Sequence, residues 1–260
     1  MAGILDGERQ YHVQTAPGEV GRYVILAGDP GRIPLIAEQL EDAKQIAQNR
    51  EYTVWTGTLC GEKVTACSTG IGGPSSAIAV EELTKCGADT FIRVGTSGGI
   101  ADQVRGGDLV IASAAVCGEG TSREYLPCGY PAAADFEVTE ALANAARKLC
   151  KENGTSAHVG VVHSKDSFYG QVAPEDSPVY YTLKNRWESY KRLGCLCSEM
   201  ECASIYAVGL ARKVRCGAVL LAIWNMERTY SGEDDTKVLD TRIAIKCAVE
   251  AVKDLISADK

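Results

Sequence analysis

The chain has 260 residues, 27 of them Lys or Arg against 34 Asp or Glu, for a formal net charge of −7, and 45% of its residues are apolar. That composition excludes a disordered chain, which has too little apolar surface to offset its conformational entropy. The acidic balance excludes a broad attractive field for nucleic acid or an anionic membrane, so any anionic ligand has to be captured locally.

The amino-terminal stretch MAGILDGERQ has neither a cationic start nor an apolar core, which predicts that it is not a signal peptide. Short β-branched or apolar runs then predict strands at Tyr23–Ala27, Tyr52–Cys60, Val64–Ser68, Thr90–Val94, Leu109–Val116, His158–Val162 and Gly217–Trp224. Helices are expected between them. The one after Gly72-Gly73 opens on Pro74 and is expected to turn Ile78, Leu83 and Cys86 inward with Glu81 and Lys85 outside. The last helix carries Ile245, Val249, Val252 and Ile256 on one face. The longest apolar run, Ala218 to Trp224, falls far short of the ~20 residues of a membrane span. Without a repeat or a linker, residues 1–260 read as one domain. Strands alternating with helices predict an α/β fold with a largely parallel or mixed sheet covered on both faces and ligands at the carboxyl ends of its strands.

Eleven cysteines are scattered from Cys60 to Cys247 with no framework spacing, and Cys67, Cys86 and Cys247 sit in apolar segments. They read as reduced thiols in a reducing cytosol. The Cys195/Cys197 pair and the three histidines have no zinc-ligand spacing.

Three predicted strands run into glycine: Gly28-Asp29-Pro30-Gly31-Arg32, Ser68-Thr69-Gly70-Ile71-Gly72-Gly73-Pro74 and Arg93-Val94-Gly95-Thr96-Ser97-Gly98-Gly99. Such loops either are simple tight turns or let backbone N–H groups approach an anion. Arg93, a cation ending an apolar strand, needs an anionic partner: a ligand or an internal carboxylate. Neither a P-loop nor a dinucleotide fingerprint is present, so the pattern favours a phosphate-sized anion. Further on, Ser198-x-x-Glu201 reads as a capping box ahead of an apolar helix face of Ile205, Val208 and Leu210.

Six stretches in order, Gly28–Arg32, Asn49–Tyr52, Ser68–Ser75, Phe91–Thr96, Asp166–Gln171 and Ser198–Glu201, resemble the nucleoside phosphorylase family, specifically its bacterial uridine phosphorylase branch. The resemblance runs from Tyr11-His12 to the carboxyl-terminal helix. It implies a central mixed sheet, a cytoplasmic hexamer built from dimers with shared active sites, and no organic cofactor. It also implies reversible phosphorolysis, in which phosphate displaces the base at the ribose anomeric carbon. Phosphate would be held by Gly28, Arg32, Arg93 and Thr96, with Arg50 from a neighbouring subunit. Ribose would meet His12 across the dimer, Thr96, Glu199, Met200 and Glu201. The base would meet Ser97, Gly98, Phe168, Gln171 and Arg228, with Arg93, Glu201 and Arg228 carrying the chemistry. Glu51, Ile71 and Ser75 match positions that hold a monovalent cation, such as potassium, in some relatives. Arg93→Ala is expected to abolish phosphate use and leave the fold intact.

Two departures bear on the base. The arginine that normally follows the glutamine is missing, since Val172-Ala173-Pro174-Glu175-Asp176 follows Gln171, and Met226 stands ahead of a displaced Arg228. Asn225 stands near where purine phosphorylases and nucleosidases carry a proton-donating aspartate, and an amide cannot donate that proton. Uridine is the expected substrate; purine or broad nucleoside phosphorolysis is the alternative, and a non-catalytic nucleoside-binding protein a more distant one.

Overall fold

In a computed structural model of the chain, which describes residues 9–233 and 236–260, the first apolar run folds as β1 (Tyr23–Ala27), all five residues buried. The reading of the amino terminus as no leader rests largely on residues 1–8, outside that range. There follow α1 (Ile33–Ala37), β2 (Glu41–Asn49), β3 (Tyr52–Leu59), β4 (Glu62–Ser68), α2 (Gly73–Lys85), β5 (Thr90–Gly99), β6 (Leu109–Gly118), β7 (Ala132–Ala133), α3 (Phe136–Asn153) and β8 (Ala157–Lys165). The chain continues through α4 (Tyr169–Val172), α5 (Tyr180–Arg192), β9 (Cys197–Glu199), α6 (Cys202–Arg212), β10 (Arg215–Asn225), α7 (Met226–Tyr230) and α8 (Arg242–Ala258).

β4, β1, β5 and β10 run parallel side by side, and β3 and β2 extend the sheet antiparallel beyond β4. On the other side β10 pairs with β6, β6 with β8, β8 with β9, and β9 back with β5, so five strands close on themselves. This mixed α/β sheet is buried on both faces because β1 and its neighbours alternate inward residues to each side. Val24, Leu26 and Phe91 pack with Leu83 of α2 and Ile205 and Tyr206 of α6. Ile25, Ile92 and Val94 pack with Leu142 of α3 and with Ile245, Val249, Val252 and Ile256 of α8, the face expected from its spacing.

All seven predicted strands form, but β2, β7 and β9 were not predicted. β2 is mainly polar, with only Ala43, Ile46 and Ala47 apolar, and mostly exposed; antiparallel pairing with β3 makes it a strand. β9 has three residues and is defined by pairing with β5 and β8. In α2 the inward positions are Ala77, Ala79, Val80 and Leu83, Ile78 is half-buried, and Cys86 caps the helix. Glu81 pairs with Arg212 of α6, not with Lys85. No helix among the described residues is long and apolar enough to cross a membrane. The eleven cysteines are free and eight are buried, with burial pushing thiols such as Cys195 up to about 12.

Candidate active site

Because β4, β1 and β5 are parallel neighbours, their carboxyl ends bring the three glycine-rich segments together. Thr69 N–H donates to the Ala27 carbonyl at 2.9 Å, and a side chain at Gly28 would come within 3.1 Å of the Gly70 carbonyl. Asp29 accepts the Gly31 N–H at 2.8 Å and so winds Pro30–Arg32 into a single tight turn. That turn carries Arg32 toward Arg93: burial, then repulsion from Arg93, lowers the Arg32 pKa. Two guanidiniums close enough to repel define a place for an anion.

The third segment is not a turn. β5 continues through Gly99, paired with β10 along its whole length, so Arg93 lies within a strand and is only 4% exposed. Its Nε lies 3.1 Å from Glu199 Oε2 and its Nη2 2.5 Å from Glu201 Oε2. The internal-carboxylate reading of Arg93 is therefore realised. Burial opposes its charge, but Glu201 and Glu199 outweigh burial and raise its pKa. Gly95 makes this possible, since a Cβ there would sit 2.7 Å from Arg93 Nη2 and 2.7 Å from Leu220 Cδ2. The glycine gives room to the guanidinium rather than to an anion. Gly95→Ala is expected to displace Arg93 and raise the KM for phosphate about tenfold or more, read from phosphate saturation at fixed nucleoside.

The capping-box reading is corrected as well. Ser198 lies in β9, and α6 is capped by Glu199, whose carboxylate accepts the N–H groups of Glu201 (2.8 Å) and Cys202 (2.9 Å) and the Ser164 hydroxyl. Burial would raise Glu199, yet Arg93, Ser164 and these amides hold it below the usual carboxylate range. Glu201 accepts the Gly72 N–H, at a glycine whose φ of 94° favours that residue. Burial, assisted by the Glu199 charge, raises the Glu201 pKa despite Arg93. In α6, Ile205 and Val208 are buried but Leu210 is 38% exposed.

Next to Glu199 lies a cluster in which the sequence reading named Gln171 and Ser198 but missed Lys165 and His163. Ser198 donates to Gln171 Oε1 at 2.7 Å, and Lys165, at the end of β8 and 8% exposed, donates to Ser198 Oγ at 3.0 Å. His163 Nδ1 is 3.4 Å from the same hydroxyl; burial and then the Lys165 charge push its pKa down to about 4. The argument applied to Arg93, a cation ending an apolar strand, fits Lys165 equally, but the predicted strand stopped at Val162. A cavity of about 400 Å³ shares Lys165, Gln171 and His163 with this cluster and runs past Leu183, Trp187 and Met226. It does not contain Arg93 or Glu201, so the ion cluster, not this cavity, locates the reacting centre.

The other expected base contacts are placed variously. Gly98 brings β5 close to Gln171, and a Cβ there would be 3.8 Å from Nε2. The Ser97 hydroxyl is turned to the Leu221 carbonyl at 3.3 Å. Phe168 stands 53% exposed ahead of α4, edge-on to Tyr169. Thr96 and Met200 are half-buried beside Arg93 and Glu201 in sequence. Arg228 is buried and held by the Asp102 carbonyl (2.9 Å) and Glu233 (2.6 Å), and its buried Nε has no partner among the described residues. Asn225 gives its Nδ2 to the Ala101 and Val104 carbonyls and accepts the Glu227 N–H at 3.0 Å as the cap of α7.

His12 and Arg50 form a separate group. Buried Glu82 accepts the His12 and Val13 N–H groups and lies 2.6 Å from His12 Nδ1. Asn49 donates to the His12 carbonyl, and exposed Arg50 lies 5.9 Å from the Tyr11 ring centroid. Among the described residues no hydrogen bond or ion pair links this group to Arg32 or Arg93. Glu51 and Ser75 flank Gly70, and the Ser75 hydroxyl is 3.3 Å from the Ile71 carbonyl, while the Ile71 side chain is 78% exposed.

Residues 22–257 match the sequence model of the phosphorylase superfamily. The chain belongs to that superfamily. A uridine phosphorylase of Treponema pallidum is 48% identical over 259 residues, covering 100% of this chain and 99% of that protein. A uridine phosphorylase of Thermococcus kodakarensis is 42% identical, covering 96% and 88% respectively. A guanosine phosphorylase of Halorubrum lacusprofundi is 37% identical, covering 84% of each. Membership makes this phosphorylase chain an enzyme that needs no organic cofactor and uses phosphate as co-substrate.

Proposed function

We propose that this protein catalyses the reversible phosphorolysis of uridine to uracil and ribose 1-phosphate. One observation carries the reading: Arg93 pairs with buried Glu201 at 2.5 Å, and its charge, after burial, lowers the pKa of Arg32 on the loop that follows the neighbouring strand. Phosphate beside the arginines would face the anomeric carbon of a ribose whose 2′- and 3′-hydroxyls donate to Glu201. A carboxylate accepts both hydroxyls and stabilises positive charge developing on the sugar ring. The phosphate C–O bond forms as the C–N bond breaks, and the electron pair leaves on the base. Arg32, Arg93, Gly28 and Thr96 hold the nucleophile in line, so the contribution is positioning and electrostatics, with no covalent enzyme intermediate.

His12 and Arg50, half-buried and exposed respectively and joined to Arg93 by no hydrogen bond or ion pair among the described residues, support a dimer-based hexamer in which each subunit completes its neighbour's site. Buried free thiols support a reducing, cytoplasmic location. A carboxylate, a carbonyl and a hydroxyl around Gly70 fit a potassium-like ion, which would tie β3 to the start of α2.

The guanosine phosphorylase relative favours a purine as the second reading. Against it stands Asn225, whose Nδ2 donates to the Ala101 and Val104 carbonyls and whose Oδ1 accepts the Glu227 N–H: an amide has no acid to offer a purine nitrogen. Incubation with uridine, inosine and thymidine, each with and without phosphate, is expected to release uracil from uridine only with phosphate. Faster turnover of inosine would transfer the reading to purines; equal rates without phosphate would make the protein a hydrolase.

A further inference from the structure

The base side of the site has to stabilise an anion. When the C–N bond breaks, the pair remains on the pyrimidine and spreads over its carbonyl oxygens until N1 takes a proton from water. The arginine that commonly serves next to the glutamine is missing here, and Val172 to Asp176 offer no cation. Three cations line the cavity with Gln171: Lys165, Lys184 and Arg186. Lys184 and Arg186 lie on the exposed helix α5, where water screens their charge. Lys165 is buried and connected to Gln171 by a continuous chain of donors: Nζ to Ser198 Oγ at 3.0 Å, then Ser198 O–H to Gln171 Oε1 at 2.7 Å.

Resting on the function proposed above, we infer that Lys165 replaces the missing arginine as the charge that orients Gln171 and stabilises the departing base. The geometry gives it both tasks. Because an ammonium has no acceptor capacity, Ser198 receives from Lys165 and must donate onward, which fixes the amide with Oε1 toward Ser198 and Nε2–H outward as a donor. That N–H is the group a pyrimidine carbonyl meets as its charge grows. Of the three Lys165 protons, one is on Ser198 and a second points at the Glu199 carbonyl 3.5 Å away, while the third has no acceptor among the described residues. The charge is also balanced: Arg93 and Lys165 face Glu199 and Glu201, two cations against two carboxylates. Burial lowers the Lys165 pKa against the opposing pull of Glu199 and Glu201, and a preorganised cation shielded from bulk water acts more strongly than one in water.

The test compares two leaving groups. With phosphate saturating, kcat/KM is measured for uridine and for 5-fluorouridine, whose base departs as a more stable anion, in the wild type and in Lys165→Met, Lys165→Arg and Ser198→Ala. Lys165→Met is expected to lose about 100-fold on uridine but only about tenfold on 5-fluorouridine, with the KM for phosphate within about twofold of wild type. Lys165→Arg is expected to recover most of the loss. Ser198→Ala, which keeps every charge, is expected to show a smaller loss with the same preference for the better leaving group, and it carries the test should Lys165→Met not fold. Equal losses on both substrates, or none, in either variant would overturn the assignment of Lys165. A wild type inert to uridine and phosphate would instead overturn the proposed function.

Discussion

Arg93→Ala is expected to reduce kcat/KM for uridine and phosphate by about 10³-fold or more and, contrary to the expectation from sequence, to destabilise the fold by about 3–5 kcal/mol. Both effects follow from its place. The guanidinium pairs with Glu201 and is, with Lys165, the counter-charge for Glu199, and all four side chains are almost wholly buried. Removing it leaves two carboxylates facing each other in a medium that solvates neither. Urea unfolding measures the stability loss. The double variant Arg93→Met, Glu199→Gln separates the effects, since neutralising Glu199 removes the uncompensated charge without restoring a phosphate ligand. Stability is expected to return in part and activity not at all. Recovery of activity in the double variant would show that Arg93 does not hold phosphate.

Glu201→Gln is expected to lower kcat by about 10²–10³-fold with little change in stability. The amide keeps the shape and its oxygen still accepts the Gly72 N–H, but it presents a neutral group to the sugar as positive charge develops there. The pH profile offers a second readout. Only the ionised carboxylate serves, and burial, with Glu199 nearby, raises the Glu201 pKa above its ordinary value. Activity of the wild type is therefore expected to fall as pH drops through that raised pKa, earlier than for an exposed glutamate. In Glu201→Gln the residual activity is expected to lack this acidic limb. An unchanged limb would assign it to another group.

Much of the site was legible because each strand that carries it begins as an apolar run. Tyr23–Ala27 and Thr90–Val94 mark their own ends, and the residues at those ends, Arg32 and Arg93, are visible as cations where burial is dictated. What failed did so for identifiable reasons. Gly95 to Gly99 looked like a turn because glycine is frequent in turns, but pairing with β10 on one side and β9 on the other holds the backbone extended. Ser198-x-x-Glu201 had the spacing of a capping box, yet β9 claims Ser198 for the sheet, and Glu199 is left to reach the helix N–H groups. Lys165 was missed because the β-branched run stops three residues before it, while pairing with β6 continues.

The sequence by itself determined the alternation of strands and helices, the buried face of α8, the three glycine-rich segments and the acidic protein's need for a local anion site. Those follow from local properties: side-chain period, backbone freedom and charge count. Only the tertiary structure decided which charges meet. Arg93, Lys165, Glu199 and Glu201 come from β5, β8, β9 and the start of α6, and their pairing is set by strand order. Strand order arises from how distant segments bury their faces together, a balance summed over the whole chain that no local pattern encodes.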